Sequence, residues 1–473
     1  MIAPWAKDEL TGVEFGDERL DARVTILLSA LGDRPNLSIP AACGGRAEMK
    51  AAYRFFDNEK VTFEKVIEPH IAKTKERMAA QTTVLLVQDT TEIDLTRPDT
   101  VVEGVGELDG PRRGVRLHEM HAFAPDGVPL GTAWAEVLNR TDGVSHDTAE
   151  EKSRRRKQRP IEEKESLRWL TGLREARAIA QELPEVRCIC VADSEADIFE
   201  LFAEPRGERP VHWLIRACQD RAISGDPGHQ LRGEALATPV LYSAELLIRG
   251  RKAKTAAEDR GRRQDRETRR ATVEVHATTV TLRPPCRPDR ELPPVTVNVV
   301  LVREPSPPEG EVRVEWMLVT TLPIDTPDRV RTIVEYYCIR WNVEILFRTL
   351  KSGCRIEHRR FEHIDRVLPA VGLYLIVAWR TLFVCRLGRS CPDIDCEAIF
   401  EPSEWKAVWM AVHRKRPPKR TPRLREMVHL VASLGGYVER PDSEPGTQTL
   451  WIGLQRMHDL AWAWEAFGPE ASQ

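Results

Sequence analysis

The stretch VRCICVADSEADIFELFAEP (Val186–Pro205) predicts a buried β-strand that is followed at once by a short helix. A helical pattern precedes this stretch in IEEKESLRWLTGLREARAIAQEL, and strand-like runs occur earlier in TTVLLVQD, RLHEMHAFAP and VPLGTAWAEVL. Turn residues separate the three earlier runs, which predicts a three-stranded meander. Strands interleaved with a helix in this way predict an α/β sheet.

The segments on either side of this sheet divide the chain into three predicted domains. Residues 1–62 have the apolar spacing of short helices. Residues 63–390 form the predicted α/β domain, with a β-rich insertion at about 211–323 that is marked by strand-like runs between proline-rich or charged turns. Residues 391–473 are predicted to be helical again.

Composition favours a protein that stays in the cytoplasm and has no membrane segment. No apolar run reaches the roughly 18 residues of a membrane span, since the most apolar segment, LPAVGLYLIVAWRTLFVCRLG, is interrupted by Arg380. That segment is predicted to be a core helix. The N-terminus has no pattern of a secretory signal. The ten cysteines lack zinc-binding spacing and are predicted to be reduced thiols.

The formal net charge of −3 argues against a uniformly basic nucleic-acid binder. Positive charge is nevertheless concentrated in three runs, at Ser153–Arg159, Arg249–Arg270 and His413–Arg425. Each run could attract a polyanion locally, or it could be a solvated loop. Charge alone leaves both interpretations open.

Three acidic residues are placed where a catalytic site could form. Asp89 and Asp193 each follow an apolar run that is predicted to be a strand, and ligands of α/β sheets bind beyond the carboxyl ends of strands. Glu344 lies on a predicted long helix that puts Tyr337, Arg340, Glu344 and Lys351 on one face. The alternatives are that the aspartates are turn or cap residues, and that Arg340 and Glu344 form a surface ion pair.

These acids suit phosphodiester chemistry. Mg²⁺ prefers a few hard oxygen ligands that leave positions open for phosphate and water. Three converging carboxylates meet that requirement, and two ions about 4 Å apart can activate one oxygen and stabilise another. Tyr337, Arg340 and Lys351 would then bind phosphate oxygens beside the site.

The order of these residues resembles a known family. The spacing Y-x2-R-x3-E-x6-K in YCIRWNVEILFRTLK, preceded by QDTT at Asp89 and ADSEAD at Asp193, is similar to the insertion-sequence-four family of DDE transposases, to which the Tn-five transposase belongs. The resemblance extends to AAYRFFDN near the N-terminus and to VHLVASLGGY and TLWIGL near the C-terminus. It implies a ribonuclease-H-like catalytic domain, end recognition by residues 1–62 and dimerisation by residues 391–473.

The resemblance also implies a function. The chain would be a cut-and-paste DNA transposase that binds double-stranded DNA at terminal inverted repeats, cleaves it through a hairpin intermediate and joins the 3′ ends to target DNA. Asp89, Asp193 and Glu344 would be catalytic and would bind two Mg²⁺ ions, for which Mn²⁺ can substitute. Trp316 would stack on a flipped base, and the active form would be a homodimer.

Two other functions fit the same residues. A metal-dependent nuclease or junction resolvase can use the same acids, because the acids do not distinguish hydrolysis from strand transfer. A transposase that has lost catalysis could act as a regulator that occupies DNA ends. One departure from the family also bears on the site, because Ser194 stands where relatives often have an arginine that contacts phosphate.

Overall fold

The computed structural model of the chain describes residues 2–140, 159–207, 209–225, 228–248, 267–287, 290–440 and 443–468. The basic run Ser153–Arg159 lies outside the described residues except for Arg159, and so does the run Arg249–Arg270 except for its last residues from 267 onward. The chain divides into two compact units: the first comprises Met1–His146 and Trp341–Gln473, and the second comprises Asp147–Arg340.

The first unit begins with helices and continues into a sheet. The helices are α1 (Pro4–Glu9), α2 (Glu18–Asp33), α3 (Ile39–Cys43), α4 (Arg46–Phe56) and α5 (Phe63–Ala79). The strands are β1 (Thr83–Asp94), β2 (Gly114–Phe123) and β3 (Pro129–Leu138). They pair antiparallel in the order β3-β2-β1, which confirms the predicted meander.

Strand β1 is longer than the apolar run TTVLLVQD that predicted it. Asp89 was expected at the strand end, but the strand continues to Asp94, so that expectation is wrong. The residues after Asp89 alternate between buried Thr91 and Ile93 and more exposed neighbours, which is the pattern of a half-buried strand. The end of the apolar run was therefore not the end of the strand.

A long buried helix forms the centre of the first unit. Helix α11 (Ile364–Ser390) packs against α2, α5 and β3. It is long and apolar enough to cross a membrane, and 83% of its most apolar window is buried inside the protein. The predicted core helix is thus confirmed. Two shorter helices precede α11 in the chain: α9 (Pro327–Ile339) and α10 (Trp341–Arg348).

The C-terminal helices of the first unit share an apolar cluster. These helices are α12 (Pro402–His413), α13 (Leu424–Leu434) and α14 (Thr447–Phe467). Trp405, Val408, Met427, Val431 and Leu450 are buried together between them. The predicted helical character of this region is confirmed.

An ion network buried in the first unit ties α1 to α5. Glu9 contacts Arg77 Nη1 at 2.6 Å and His70 Nδ1 at 2.7 Å. Burial raises the pKa of Glu9, but the hydrogen bonds of His70 and Arg77 and the positive charge of Arg77 outweigh this effect, so the pKa lies below its ordinary value of 4.5. The N-terminal helices are therefore held by polar as well as apolar contacts.

We expect Glu9→Ala to lower the free energy of unfolding by about 3–5 kcal/mol, because removing one partner leaves other buried polar groups uncompensated. Urea unfolding followed by circular dichroism measures the change. Glu76→Ala on α5 is the control, because Glu76 is 65% exposed in its pair with Lys73, and little change is expected. Equal losses in the two variants would show that the buried network contributes nothing specific.

The second unit contains a mixed sheet and its covering helices. Its strands are β4 (Arg187–Ala192), β5 (His212–Ala217), β6 (Tyr242–Ile248), β7 (Arg269–Leu282), β8 (Val295–Arg303) and β9 (Glu315–Thr320). Its helices are α6 (Leu167–Glu182), α7 (Phe199–Phe202), α8 (Leu231–Leu236) and α9. The strand order is β4-β5-β9-β8-β7-β6, in which β4 and β5 are parallel and the other neighbours are antiparallel. The predicted mixed α/β class is confirmed.

The helix with the acid Glu344 is not continuous. Helix α9 ends at Ile339, α10 starts at Trp341, and a π-helical turn follows at Thr349–Gly353. The prediction of one long helix is wrong in this respect. Such π turns often occur at functional sites.

Candidate functional site

The first unit places Asp89 and Glu344 on elements that touch. Asp89 lies within β1, and its Oδ1 accepts a hydrogen bond from Thr90 N at 2.7 Å. Helix α10 contacts β1 and presents Glu344 on its exposed side. The opposite side of the helix anchors it, since Val343 and Leu346 are fully buried. The buried side therefore holds the helix in place while Glu344 stays accessible.

Lys351 lies next to the end of the same strand. It follows α10 in the π-helical turn, and its Nζ is 3.8 Å from Glu357 Oε1. Glu357 Oε1 in turn accepts a hydrogen bond from Asp94 N at 3.1 Å. Burial lowers the pKa of Lys351, and the carboxylates of Glu357, Glu92 and Asp94 oppose that shift. Lys351 is therefore a half-buried cation among the carboxylates at the end of β1.

Asp193 is held in the second unit by a tight turn after β4. Its Oδ1 accepts a hydrogen bond from Glu195 N at 2.8 Å and thereby caps the 3-10 turn Ser194–Ala196. The cap reading was one of the two alternatives for this aspartate. A cap does not exclude a functional role, because a carboxylate has a second oxygen that can bind a cation.

Asp197 also holds the turn that follows β4. Its buried carboxylate accepts hydrogen bonds from Cys218 N at 2.8 Å and Gln219 N at 2.9 Å, and it pairs with Arg221. These bonds join the turn after β4 to the turn after β5. Sequence reasoning missed this positioning role, although the acid was visible in ADSEAD.

The second unit also gathers the aromatic residues that the sequence analysis singled out. Tyr337 on α9 is 1% exposed, and its ring lies 5.9 Å from that of the half-buried Trp316 on β9. The guanidinium of Arg340 lies 5.7 Å from the centre of the Tyr337 ring.

The electrostatic surroundings of Tyr337 connect it with Asp193. Burial raises the pKa of Tyr337 above its ordinary value of 10.0, the positive charges of Arg340 and Arg216 oppose the shift, and the charge of Asp193 adds to it. Tyr337 is therefore a neutral hydroxyl that can donate a hydrogen bond. The Tyr337 hydroxyl is thus close enough to feel the charges of Asp193, Arg216 and Arg340.

Arg216 is a further cation that sequence reasoning missed. It lies on β5, and its Nη2 donates a hydrogen bond to Ser194 Oγ at 3.1 Å. The guanidinium thus stands beside the residue that follows Asp193, where an arginine was noted as missing. The position of Arg216 within a strand did not predict this contact, because the contact depends on the register in which β5 pairs with β4.

The acids suit a divalent cation by their chemistry. Asp89 and Glu344 belong to the first unit and Asp193 to the second. The part of the chain that the structure describes contains no group of three or more His, Cys, Asp or Glu side chains placed to hold a metal ion. Carboxylate oxygens are nevertheless the donors that Mg²⁺ and Mn²⁺ prefer. The cysteines are free thiols, as the sequence predicted.

The remaining basic run lies between α12 and α13. Within His413–Arg425, Arg423 pairs with Asp393, and Arg425 pairs with Glu444 at 2.6 Å. The cations at 414–416 and at 419 and 420 are mostly exposed. This run therefore keeps positive charge on the surface, although two of its arginines are partly neutralised.

Three protein-family models match the chain. A transposase DNA-binding model matches residues 2–61, a transposase DDE domain model matches residues 171–379, and a Tn5 transposase dimerisation domain model matches residues 376–463. The DDE domain match includes Asp193 and Glu344 and begins after Asp89. The three matches follow one another along the chain in the order expected from the sequence.

Proposed function

Because the chain belongs to the DDE transposases and resembles the Tn5 type, we propose that it is a cut-and-paste transposase that excises a DNA segment and joins its 3′ ends to target DNA. The observation that carries the proposal is the combination of a DNA-binding, a DDE and a dimerisation match in one chain. The expected acids, cations and aromatic residues are present in support of it.

The proposed domains keep the boundaries predicted from the sequence. Residues 1–62 recognise the element ends, residues 63–390 form a ribonuclease-H-like catalytic domain with an insertion at about 211–323, and residues 391–473 contribute to the dimer. The meander β1–β3, the strand β4 and the acids on β1, after β4 and on α10 support the ribonuclease-H-like assignment.

In the proposed mechanism, Asp89, Asp193 and Glu344 would hold two Mg²⁺ ions, for which Mn²⁺ could substitute. When bound, the ions supply positive charge that activates the attacking oxygen and stabilises the leaving oxygen. The chain orients the scissile phosphate through the charges of Arg340, Lys351 and Arg216 and through the hydroxyl of Tyr337. The buried position of Tyr337 keeps this hydroxyl neutral and able to donate.

Trp316 is proposed to stack on a base that leaves the duplex when a hairpin forms at the cut end. A stacking platform needs an aromatic face that is held in place and accessible, and Trp316 is half-buried against Tyr337. The alternative is a tryptophan that only packs against the sheet. Its neighbour Tyr337 is a proposed phosphate ligand, which favours the stacking role.

Trp316→Ala is expected to slow hairpin formation about tenfold or more while first-strand nicking changes little, because base stacking on an aromatic side chain is worth about 1–3 kcal/mol. Gel analysis of nicked and hairpin products over time separates the two steps. Trp213→Phe, at a buried tryptophan on β5, is the control for sheet packing. Equal slowing of both steps by Trp316→Ala would assign the residue to packing alone.

The partners follow from the same assignment. The chain binds double-stranded DNA at the terminal inverted repeats and at the target, and acts as a homodimer that pairs two ends. The exposed cations at 414–416, 419 and 420 would face this DNA. The proposed location is the cytoplasm, without a membrane partner.

Product analysis distinguishes this function from its two rivals. Incubation of the protein with element-end DNA, target DNA and Mg²⁺ is expected to yield joined products in addition to cut ends. Cut ends without joined products would favour a nuclease or resolvase. Specific end binding without any metal-dependent cleavage would favour a regulator that has lost catalysis.

A further inference from the structure

A buried acid faces Asp89 across the first sheet. Glu119 on β2 is directly opposite Asp89 on β1 in the antiparallel register. Residues directly opposite each other point to the same face of a sheet, with Cβ atoms about 4.5–5.5 Å apart. Glu119 is fully buried, whereas Asp89 is partly exposed. The residue beside Asp89 on β2 is therefore a fully buried acid.

The Glu119 carboxylate is fixed through one oxygen only. Its Oε1 accepts a hydrogen bond from Thr132 Oγ1 at 2.7 Å and lies 2.8 Å from His121 Nδ1. Its Oε2 is buried and has no hydrogen-bond partner among the described residues. A buried carboxylate oxygen without a partner is costly, and two acids that face each other repel.

We propose that Glu119 is a positioning acid of the divalent-cation site at Asp89, where its buried negative charge raises the affinity for the cation. This inference rests on the proposed function, since it requires a cation at Asp89. A divalent cation beside Asp89 compensates the repulsion between the two acids, and the attraction is strong because a buried charge is weakly screened.

The network around Glu119 explains why the acid is rigid. Thr132 N donates to His70 Nε2 at 3.1 Å, so the hydroxyl donor of Thr132 is held by strand β3 and by helix α5. His121 is fully buried and pairs with the same carboxylate oxygen. These contacts hold one carboxylate oxygen, while the backbone register places Glu119 beside Asp89 on the same face of the sheet. Supporting residues of this kind commonly change metal affinity by about 10–100-fold.

The test is a titration of the full-length protein with Mn²⁺, in which electron paramagnetic resonance measures the free ion. Glu119→Gln preserves shape and removes the charge, and its Mn²⁺ affinity is expected to fall about tenfold or more. Glu76→Gln removes an acid that is 65% exposed, and no change is expected because solvent and salt screen that charge. Circular dichroism confirms that each variant is folded.

Asp89→Asn separates this inference from the proposed function. If Asp89→Asn weakens Mn²⁺ binding and Glu119→Gln leaves it within about twofold of the parent, Glu119 is only a structural acid and the inference is overturned. If Asp89→Asn has no effect, the proposed ion site itself fails. Should Glu119→Gln not fold, Thr132→Val replaces it, and a weakened Mn²⁺ affinity is expected because the carboxylate loses the donor that fixes it. An unchanged affinity in Thr132→Val overturns the inference.

Discussion

Asp89→Asn, Asp193→Asn and Glu344→Gln are each expected to lower the rate of end cleavage by at least about a thousandfold, because a bound cation stabilises the transition state by several kcal/mol. The amide substitutions isolate charge from shape. Asn at position 89 or 193 retains the oxygen that accepts from Thr90 N or Glu195 N, so the local turn is kept. Specific binding to the ends is expected to survive.

Glu335→Gln is the matched control for these substitutions. Glu335 is an exposed acid on α9, close in sequence to the candidate residues and outside the proposed site. Its cleavage rate should equal that of the parent protein. Single-turnover cleavage of labelled end DNA measures the rates, and a filter or gel assay without metal measures binding. Normal cleavage in any of the three acid variants would remove that acid from the catalytic set.

The second large effect is expected at the exposed end of helix α14. Trp462 is 65% exposed and Phe467 is 83% exposed, and Trp462 lies within the region that matches a transposase dimerisation domain. Large exposed aromatic residues of this kind commonly become the central contacts of an interface. We therefore propose that this surface of α14 contacts the second copy of the chain in the complex with two DNA ends.

Trp462→Ser is expected to weaken formation of the two-end complex about 30-fold or more, since tryptophans at the centre of an interface contribute about 2 kcal/mol or more. Cleavage of paired ends should fall with it, while binding of one chain to one end persists. Native gels with two end fragments of different length measure pairing. Val101→Ser is the control, because Val101 is 69% exposed and lies outside the matched dimerisation region.

A different outcome would exclude this arrangement. If Trp462→Ser pairs ends normally, α14 does not form the contact between copies. If one chain cuts an unpaired end at the rate of the paired complex, catalysis does not require a dimer at all. Free protein can still be monomeric under the proposal, because two joined DNA ends raise the effective concentration of the bound chains.

Periodicity and motif spacing predicted much of the fold. The meander, the core helix α11 and the helical ends are confirmed because each rests on a regular apolar pattern. The position of Asp89 within β1 was predicted wrongly, because TTEID continues the strand by alternation instead of by an apolar run. No pattern in the sequence predicted the break between α9 and α10 at Arg340.

Contacts between distant residues could not be predicted from one sequence. Arg216 and Glu119 acquire their neighbours from strand pairing, and register is invisible in composition. The same holds for the N-terminal helices, where Glu9 pairs with residues of α5 and Phe56 packs against Phe361. Removing residues before Thr62 would uncover these buried contacts, so point substitutions test end recognition better than truncation does.

Asp89, Asp193 and Glu344 are proposed to act together on one cation site. The most direct measurement is crystallographic, with the protein bound to end DNA in Mn²⁺ and the ions located by anomalous scattering. We expect two Mn²⁺ peaks about 4 Å apart that are bound by carboxylate oxygens of all three acids beside the scissile phosphate. Peaks that leave any one of the three acids more than a domain width away would contradict it.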